Sequence, residues 1–424
     1  MKRLWFVGLA LLIGWSVAQA QAPMPAVPEG ARVVTPETVQ AATRAWLDTI
    51  PAAQRAKTDA YYEGGYWLQL WSAVISVALA VLLLATGFSR RLRAWAERAT
   101  RFRALQVALY AIGFLAVFSL LSLPWSAYTD FFRERQYGLS NQSFGQWAGE
   151  AAIGLALTLL FGALVLMAIY AVIRCAPRTW WLWGAGVMIA FSAFGALIYP
   201  TFIAPLFNEY KPLANAQVRE QVLAMARAHD VPADEVYEFN ASKQHSRVSA
   251  NVAGLGGTMR IALNDNLLNR GSLGEIRMVM AHELGHYVLN HVWKGLVFSG
   301  LVIVAMFAFA RGVFAWAQAR WGAAWGVRDV ADPAGLPILI AAFTVFQLLA
   351  TPVTNTITRV QEVEADQFGL AVGRDPDAEA AVILKLAEYR KMEPGPIEEF
   401  VFYTHPSGYR RIENAMRWKA HSPP

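Results

Sequence analysis

Six long apolar stretches restrict this chain to folds that a lipid bilayer can hold. They lie near residues 66–87, 104–124, 151–173, 179–200, 295–318 and 335–355. Each approaches or exceeds the ~20 residues that a helix needs to cross the hydrocarbon core. Lipid offers no partner to a free backbone N–H or C=O, so spans of this kind are helices. Composition separates membrane spans from buried core helices. Only 16% of the residues are charged and 56% are hydrophobic, whereas a soluble domain carries about 25% charge. Trp180, Trp181 and Trp183 cluster where one stretch begins, as aromatics do at a membrane interface. The net charge of +6 falls in short runs; it fits membrane topology and gives no sign of nucleic-acid binding. The single Cys175 excludes an internal disulfide.

A seventh apolar stretch opens the chain. Lys2 and Arg3 precede Leu4–Val17, and Ala18-Gln19-Ala20 follows. This is the layout of a signal peptide with its cleavage site, and equally of a first transmembrane helix, so residues 1–20 are one or the other. Residues 21–65 form an extramembrane helical segment, and 66–205 hold four spans. The 88–103 stretch carries Arg90, Arg91, Arg93, Arg98, Arg101 and Arg103 against Glu97, and such a loop stays in the cytoplasm. Counting spans from there puts 201–294 outside.

Within 206–294, Gln217–His229 reads as a helix. Val236–Phe239 and Met259–Leu263 read as short strands around a Gly-rich turn at 254–257. Ser272-Leu273-Gly274-Glu275 reads as a capping box that starts a helix, continued by the stripe Ile276, Val279, Met280, Leu284, Val288 and Leu289. In that helix lies His282-Glu283-Leu284-Gly285-His286. Residues i and i+4 sit about 40° apart around a helix axis, so both imidazoles face one way and can bind one Zn²⁺. Glu283 stands beside the metal, where it can take a proton from a zinc-bound water. His291, five residues past His286, falls on a different face and reads as a bystander.

A catalytic zinc site needs a third protein ligand on another element. After the last apolar stretch comes Glu362-Val363-Glu364-Ala365-Asp366. Glu362 and Asp366 share a helix face; one carboxylate could bind zinc while the other orients a ligand His. Glu364 points elsewhere and reads as solvated. Residues 295–355 supply the last two spans, and 356–424 form a polar helical segment.

These motifs together resemble the CAAX prenyl protease type 1 family, membrane-embedded zinc metalloendopeptidases. The resemblance rests on HELGH with E-x-x-A-D, and on Leu123-Pro124-Trp125-Ser126-x-Tyr128 with Phe131, Glu134 and Gly138. Further matches are Tyr199, Ile203-Ala204-Pro205-Leu206-Phe207 and Pro212-Leu213; Val236-Tyr237, Ser242-Lys243, Arg260-Ile261 and Leu267-Leu268; and His405-Pro406 with Arg411. It covers roughly residues 60–420, and the seven apolar stretches equal the family's seven spans.

The resemblance implies a mainly α fold: a polytopic bundle of six to seven spans around a water-filled chamber, with a small α+β zinc metallopeptidase domain inserted between spans. It makes Glu362 the third zinc ligand and Asp366 the partner of a zinc His. His405 becomes the group that stabilises the oxyanion, though from the residues alone it could simply adjoin the cap of a 407–419 helix. Arg411 becomes the organiser of that segment. Where the family has Asn-Ala before its edge strand, this chain has Ser249-Ala250, with Asn251 two residues on, so Ser249 and Asn251 are both candidate substrate contacts. A peptide substrate is expected to pair with the edge strand around Met259–Leu263. The expected protein is a multi-pass enzyme of the bacterial inner membrane with one Zn²⁺ per chain, a peptide or protein substrate and a periplasmic catalytic face, opposite to the cytosolic side used by the family's eukaryotic members. Its substrate is either a prenylated peptide or, in quality control, a membrane or exported protein. A non-enzymatic scaffold or transporter with a structural zinc is the reading from another class.

Overall fold

The structure, a computed structural model, describes residues 21–254 and 259–422. The expected leader or first span at 1–20 lies outside the described residues. Among the described residues six helices are long and apolar enough to cross a membrane: Ala52–Ala85, Arg103–Gln136, Phe144–Cys175, Trp180–Leu206, His291–Trp325 and Pro333–Gly373. Their outer faces expose large aliphatic side chains, with Leu120 59%, Val297 63% and Leu349 66% exposed. A water-soluble fold would not leave such a belt uncovered, so the bilayer is its solvent, and the chain is a multi-pass membrane protein.

The helices run past the membrane on one side. Ala52–Ala85 starts in the polar segment, and Pro333–Gly373 carries Glu362 and Asp366 on its last turns. The divisions expected at 65/66 and 355/356 thus fall inside unbroken helices. Two ends of the bundle follow. At one, Arg93 pairs with Asp332 and Arg328 with Glu97. At the other, Arg247 reaches Glu134, Gln244 reaches Glu150, and Lys391 pairs with Glu63 at 2.6 Å.

This second end carries a four-stranded sheet, β1 (Tyr210–Pro212), β2 (Val236–Phe239), β3 (Ala250–Ala253) and β4 (Arg260–Asn264), in the order β1-β2-β4-β3. β2 and β4 are parallel neighbours; β1 and β3 flank them antiparallel. The sequence reading expected two strands joined by the Gly-rich turn. Instead β3 stands between them in sequence, and Gly254, at φ +101°, begins the link from β3 to β4. The short, alanine-containing Ala250–Ala253 has too little apolar alternation to announce a strand. β4 is paired on both sides, so the edge strand expected around Met259–Leu263 is no edge; among the described strands the outer ones are β1 and β3.

The helix Leu273–Val288 buries Ile276, Met280 and Leu284 against Val222, Val236, Ile261 and Leu263. Its capping box forms as read, with Ser272 Oγ accepting from Glu275 N and Glu275 Oε2 from Ser272 N. Glu275 also pairs with Lys385, tying this helix to Pro376–Leu386. The N-terminal segment packs on the same domain: Val39, Trp46 and Leu47 share a core with Met278, Ile383 and Met416.

Candidate active site

Two helices cross to make the site. His282 and His286 lie one turn apart on Leu273–Val288, with their Nε2 atoms 3.2 Å apart. Glu362 comes from the last span, its Oε2 3.2 Å from His282 Nε2 and its Oε1 3.7 Å from His286 Nε2. Glycines let the helices approach: a Cβ on Gly369 would stand 3.3 Å from the His282 backbone N, and one on Gly285 3.0 Å from the Phe368 ring.

Each imidazole is held from behind. Asp366 Oδ1 lies 2.9 Å from His282 Nδ1. The Asp366 carboxylate in turn accepts two hydrogen bonds from Arg411, at 2.9 and 2.7 Å. His286 Nδ1 lies 2.9 Å from His291 Nδ1, and His291 Nε2 lies 2.9 Å from Glu364 Oε2, which also accepts from Lys294 at 2.7 Å. His291 is therefore no bystander, and Glu364 is not merely solvated. The reading failed because it extended one helix through His291. Asn290 takes φ +58°, a left-handed conformation that Asn tolerates. The metal-facing helix stops there, and His291 begins the next helix folded back against His286. Asn directly after the last apolar residue, Leu289, was the available signal.

His405 completes the ring, its Nε2 3.3 Å from Glu362 Oε2 and its Nδ1 2.9 Å from the Thr404 hydroxyl. Burial and the nearby Arg390 push its pKa down to about 3, so it is neutral at physiological pH. Ser407, not His405, caps the helix Gly408–His421. Glu283 is driven above the usual carboxylate range by burial, against the pull of His282 and His286. For His282, burial alone would lower basicity, but its acceptors Asp366 and Glu362 outweigh this and push the pKa up to about 10.

The donor set fits a metal ion. One atom from each of His282, His286 and Glu362 lies within 4.8 Å of the other two. Two carboxylates, Glu362 and Asp366, stand within 3.2 Å of the His282 ring nitrogens, so the site's negative charge favours a cation. Two imidazoles and a carboxylate with a further position open are what a catalytic zinc takes.

A cavity of about 220 Å³ opens beside the cluster, lined by Ser249, His282, Glu283, Arg390, His405 and Arg411. Ser249 immediately precedes β3; its carbonyl oxygen accepts from Asn264 N, and its own N–H donates to the Asn264 side-chain Oδ1. Asn251 lies within β3, opposite Ala262, and is not among that cavity's lining residues. Between the spans is a larger cavity of about 740 Å³, lined by neutral groups including Gln69, Ser72, Ser192, Thr344, Gln347 and Gln361. It reaches the residue before Glu362.

Comparison with known proteins agrees with this architecture. The sequence pattern described as Peptidase family M48 matches residues 212–419, and that of the CAAX prenyl protease N-terminal, five membrane helices, matches 36–209. A relative from Bacillus subtilis, the uncharacterized metalloprotease YhfN, is 31% identical over 80% of each chain. CAAX prenyl protease 1 of Saccharomyces cerevisiae is 28% identical over 74% of this chain and 73% of its own. The crystal structure of S. mikatae Ste24p has the same fold, with TM-score 0.73 at 21% identity over 87% of this chain and 90% of that one. The chain belongs to peptidase family M48 and is a membrane metalloendopeptidase of the CAAX prenyl protease type.

Proposed function

We propose that this chain is a zinc endopeptidase of the bacterial inner membrane, with His282, His286 and Glu362 as ligands and the catalytic face in the periplasm. The observation that carries the reading is the convergence of those three side chains from two helices, within 4.8 Å of one another. The assigned metallopeptidase unit is 206–294 together with 356–424.

Zinc at these donors would supply a Lewis acid that polarises a peptide carbonyl and lowers the pKa of a water toward about 7. Glu283 takes the proton of the attacking water on a carboxylate oxygen and delivers it to the leaving amide nitrogen. Its raised pKa suits both halves of that task. A Thr404 hydroxyl donating to His405 Nδ1 keeps the ring proton on Nε2, which then donates to the carbonyl oxygen as negative charge develops. Asp366 with Arg411 fixes the orientation of His282, and His291 with Glu364 fixes that of His286.

The substrate strand adds to β3. Asn264 N donates to Ser249 O, so by antiparallel alternation Asn251 and Ala253 also face β4. Ala250 and Val252 turn their backbone groups to the free edge. Ser249 and Asn251 flank that edge as side-chain contacts. The likeness to proteins named CAAX prenyl protease 1 favours a prenylated peptide as substrate.

Charge supports the orientation. Loops 86–102, 176–179 and 326–332 share one end of the bundle and hold seven Arg against Glu97, Asp329 and Asp332; the rule of positive loops makes that end cytoplasmic. The N-terminal segment packs with the catalytic unit, so it lies on the opposite side, where a translocated leader would deliver it.

The test is Glu283→Gln, with hydrolysis of a quenched peptide and zinc content measured on the same sample. Zinc should stay at one per chain while kcat/KM falls by about 10²–10⁴. Full activity in this variant would remove Glu283 from the role of base.

A further inference from the structure

The end of the bundle away from the active site holds a second polar cavity, of about 370 Å³. It lies between the helix Phe88–Ala99, the start of Arg103–Gln136, the end of Phe144–Cys175 and the loop before Pro333. Four arginines line it. Two are engaged: Arg93 pairs with the buried Asp332, and Arg328 grips Glu97 with both terminal nitrogens at 2.7 and 3.2 Å. Asp332 is further occupied by the backbone N–H groups of Arg328 and Ala334. With Glu97 and Asp332 so occupied, the remaining lining acid, Asp329, makes no ion pair within 4.0 Å among the described residues; its charge acts on Arg328, and its Oδ1 accepts from Ala331 N. Arg103 and Arg174 have no hydrogen-bond or ion-pair partner among the described residues, and both line the cavity.

We infer that this cavity binds the phosphate of an anionic phospholipid, held between Arg103 and Arg174. Their positions set the depth. Arg103 is the first residue of one span and Arg174 is one residue from the end of another, so both guanidiniums lie where the bilayer meets water, at the level of lipid phosphates. Two uncommitted guanidiniums in one cavity suit a phosphate, which takes paired N–H donors. Basic pockets between transmembrane helices on the cytoplasmic side take anionic head groups for this reason.

The surroundings favour a lipid over free phosphate. Trp95, Phe102 and Leu105, on the two helices that line the cavity and the link between them, are 48%, 57% and 49% exposed, apolar surface on which acyl chains can lie. Phe88–Ala99 has one face toward the bundle, with Ser89 and Ala96 buried, and Arg91, Arg98 and Trp95 outside. That is the form of a helix resting in the interface. The site is separate from the catalytic reading and stands whether or not zinc binds.

The experiment uses full-length protein in neutral detergent and follows thermal unfolding while phosphatidylglycerol, phosphatidylcholine or inorganic phosphate is titrated in. Phosphatidylglycerol is expected to stabilise wild type more than phosphatidylcholine does. Arg103→Gln/Arg174→Gln should weaken phosphatidylglycerol binding about tenfold or more, with the phosphatidylcholine response unchanged. Arg91→Gln/Arg98→Gln removes the same charge outside the cavity and should keep wild-type binding. A cooperative unfolding transition without added lipid verifies that each variant is folded; should the Gln pair fail this check, Arg103→Lys/Arg174→Lys keeps the charge without the forked donors and is expected to lose part of the preference. Equal phosphatidylglycerol binding by wild type and the folded cavity variant would overturn the site. So would equal loss in the outer pair. Stabilisation by inorganic phosphate as strong as by phosphatidylglycerol would overturn the lipid assignment.

Discussion

Replacing His291 should weaken zinc binding without touching a ligand, and the structure sets the size of the effect. His286 can present Nε2 to a metal only if its proton sits on Nδ1, and Nδ1 has His291 Nδ1 as its acceptor at 2.9 Å. The acceptor lone pair exists because His291 gives its own proton, on Nε2, to Glu364. Losing an acceptor from a buried donor costs about 1–3 kcal/mol, or roughly five- to 150-fold in Kd. His291 is buried at 4% exposed, but the His286 side chain is 25% exposed, so water can replace part of the loss. The expected result for His291→Phe is a zinc Kd raised about tenfold, within the range for outer-shell partners. His291→Asn is the discriminating variant, because its Oδ1 can accept near the position of Nδ1; it should recover most of the affinity. Glu364→Gln, on a side chain 40% exposed, should cost only about twofold. The assay is competition with a chromophoric chelator on detergent-solubilised protein, which reads metal affinity independently of turnover. If His291→Phe binds zinc as tightly as wild type, or His291→Asn falls as far as His291→Phe, the positioning role is refuted.

Arg411→Leu leaves the Asp366 carboxylate buried near Glu362 and Glu379 without its cation, and should cost about 3–5 kcal/mol, read as a lower unfolding temperature in detergent; an unchanged temperature would contradict the buried pairing. Glu283 must be ionised to accept a proton, and burial raises its pKa; activity is therefore retained above that pKa and lost as pH falls through it, so the acid limb of kcat/KM should lie above the ordinary carboxylate value of 4.5. His405, neutral down to about 3, should add no acid limb, and a limb that disappears in His405→Asn would refute the assignment of the titration to Glu283. Alkaline phosphatase fused after residue 95 should be inactive and after residue 420 active in a bacterial host; activity at 95 would invert the proposed orientation.

Much of the fold was legible because bilayer physics leaves few choices. An apolar run of span length must be a helix, and each of the six runs from 66–87 to 335–355 coincides with an observed span, overrunning it only at residues 86–87 and 179. The HExxH helix announced itself by a cap and a stripe, both local signals. What the sequence hid was non-local. β3 pairs through backbone atoms that any residue carries, so Ala250–Ala253 left little trace. His291 depended on a left-handed Asn290, a single dihedral that breaks the i,i+5 geometry assumed for a continuous helix. The spacing of Glu362 and Asp366 marked a shared face, but only the resemblance said which carboxylate turns to the Nε2 atoms of both imidazoles.

The third donor explains why membrane and catalytic parts cannot be treated apart. Glu362 stands on a helix that begins at the far face of the bilayer, and its distance to His282 is set by the glycine contact at Gly369. Imidazoles one turn apart on one helix keep their spacing even in an isolated domain. The carboxylate keeps its place only if the last span is seated, and among the described residues the donor cluster proposed for the metal takes its carboxylate from that span. A site of this kind is completed by membrane insertion: the Leu273–Val288 helix holds two donors in advance, and the closing donor arrives with the span. Metal affinity therefore reports on the packing of the bundle as well as on the ligands, since a shift of half an ångström at the helix crossing is comparable to the tolerance of a catalytic site.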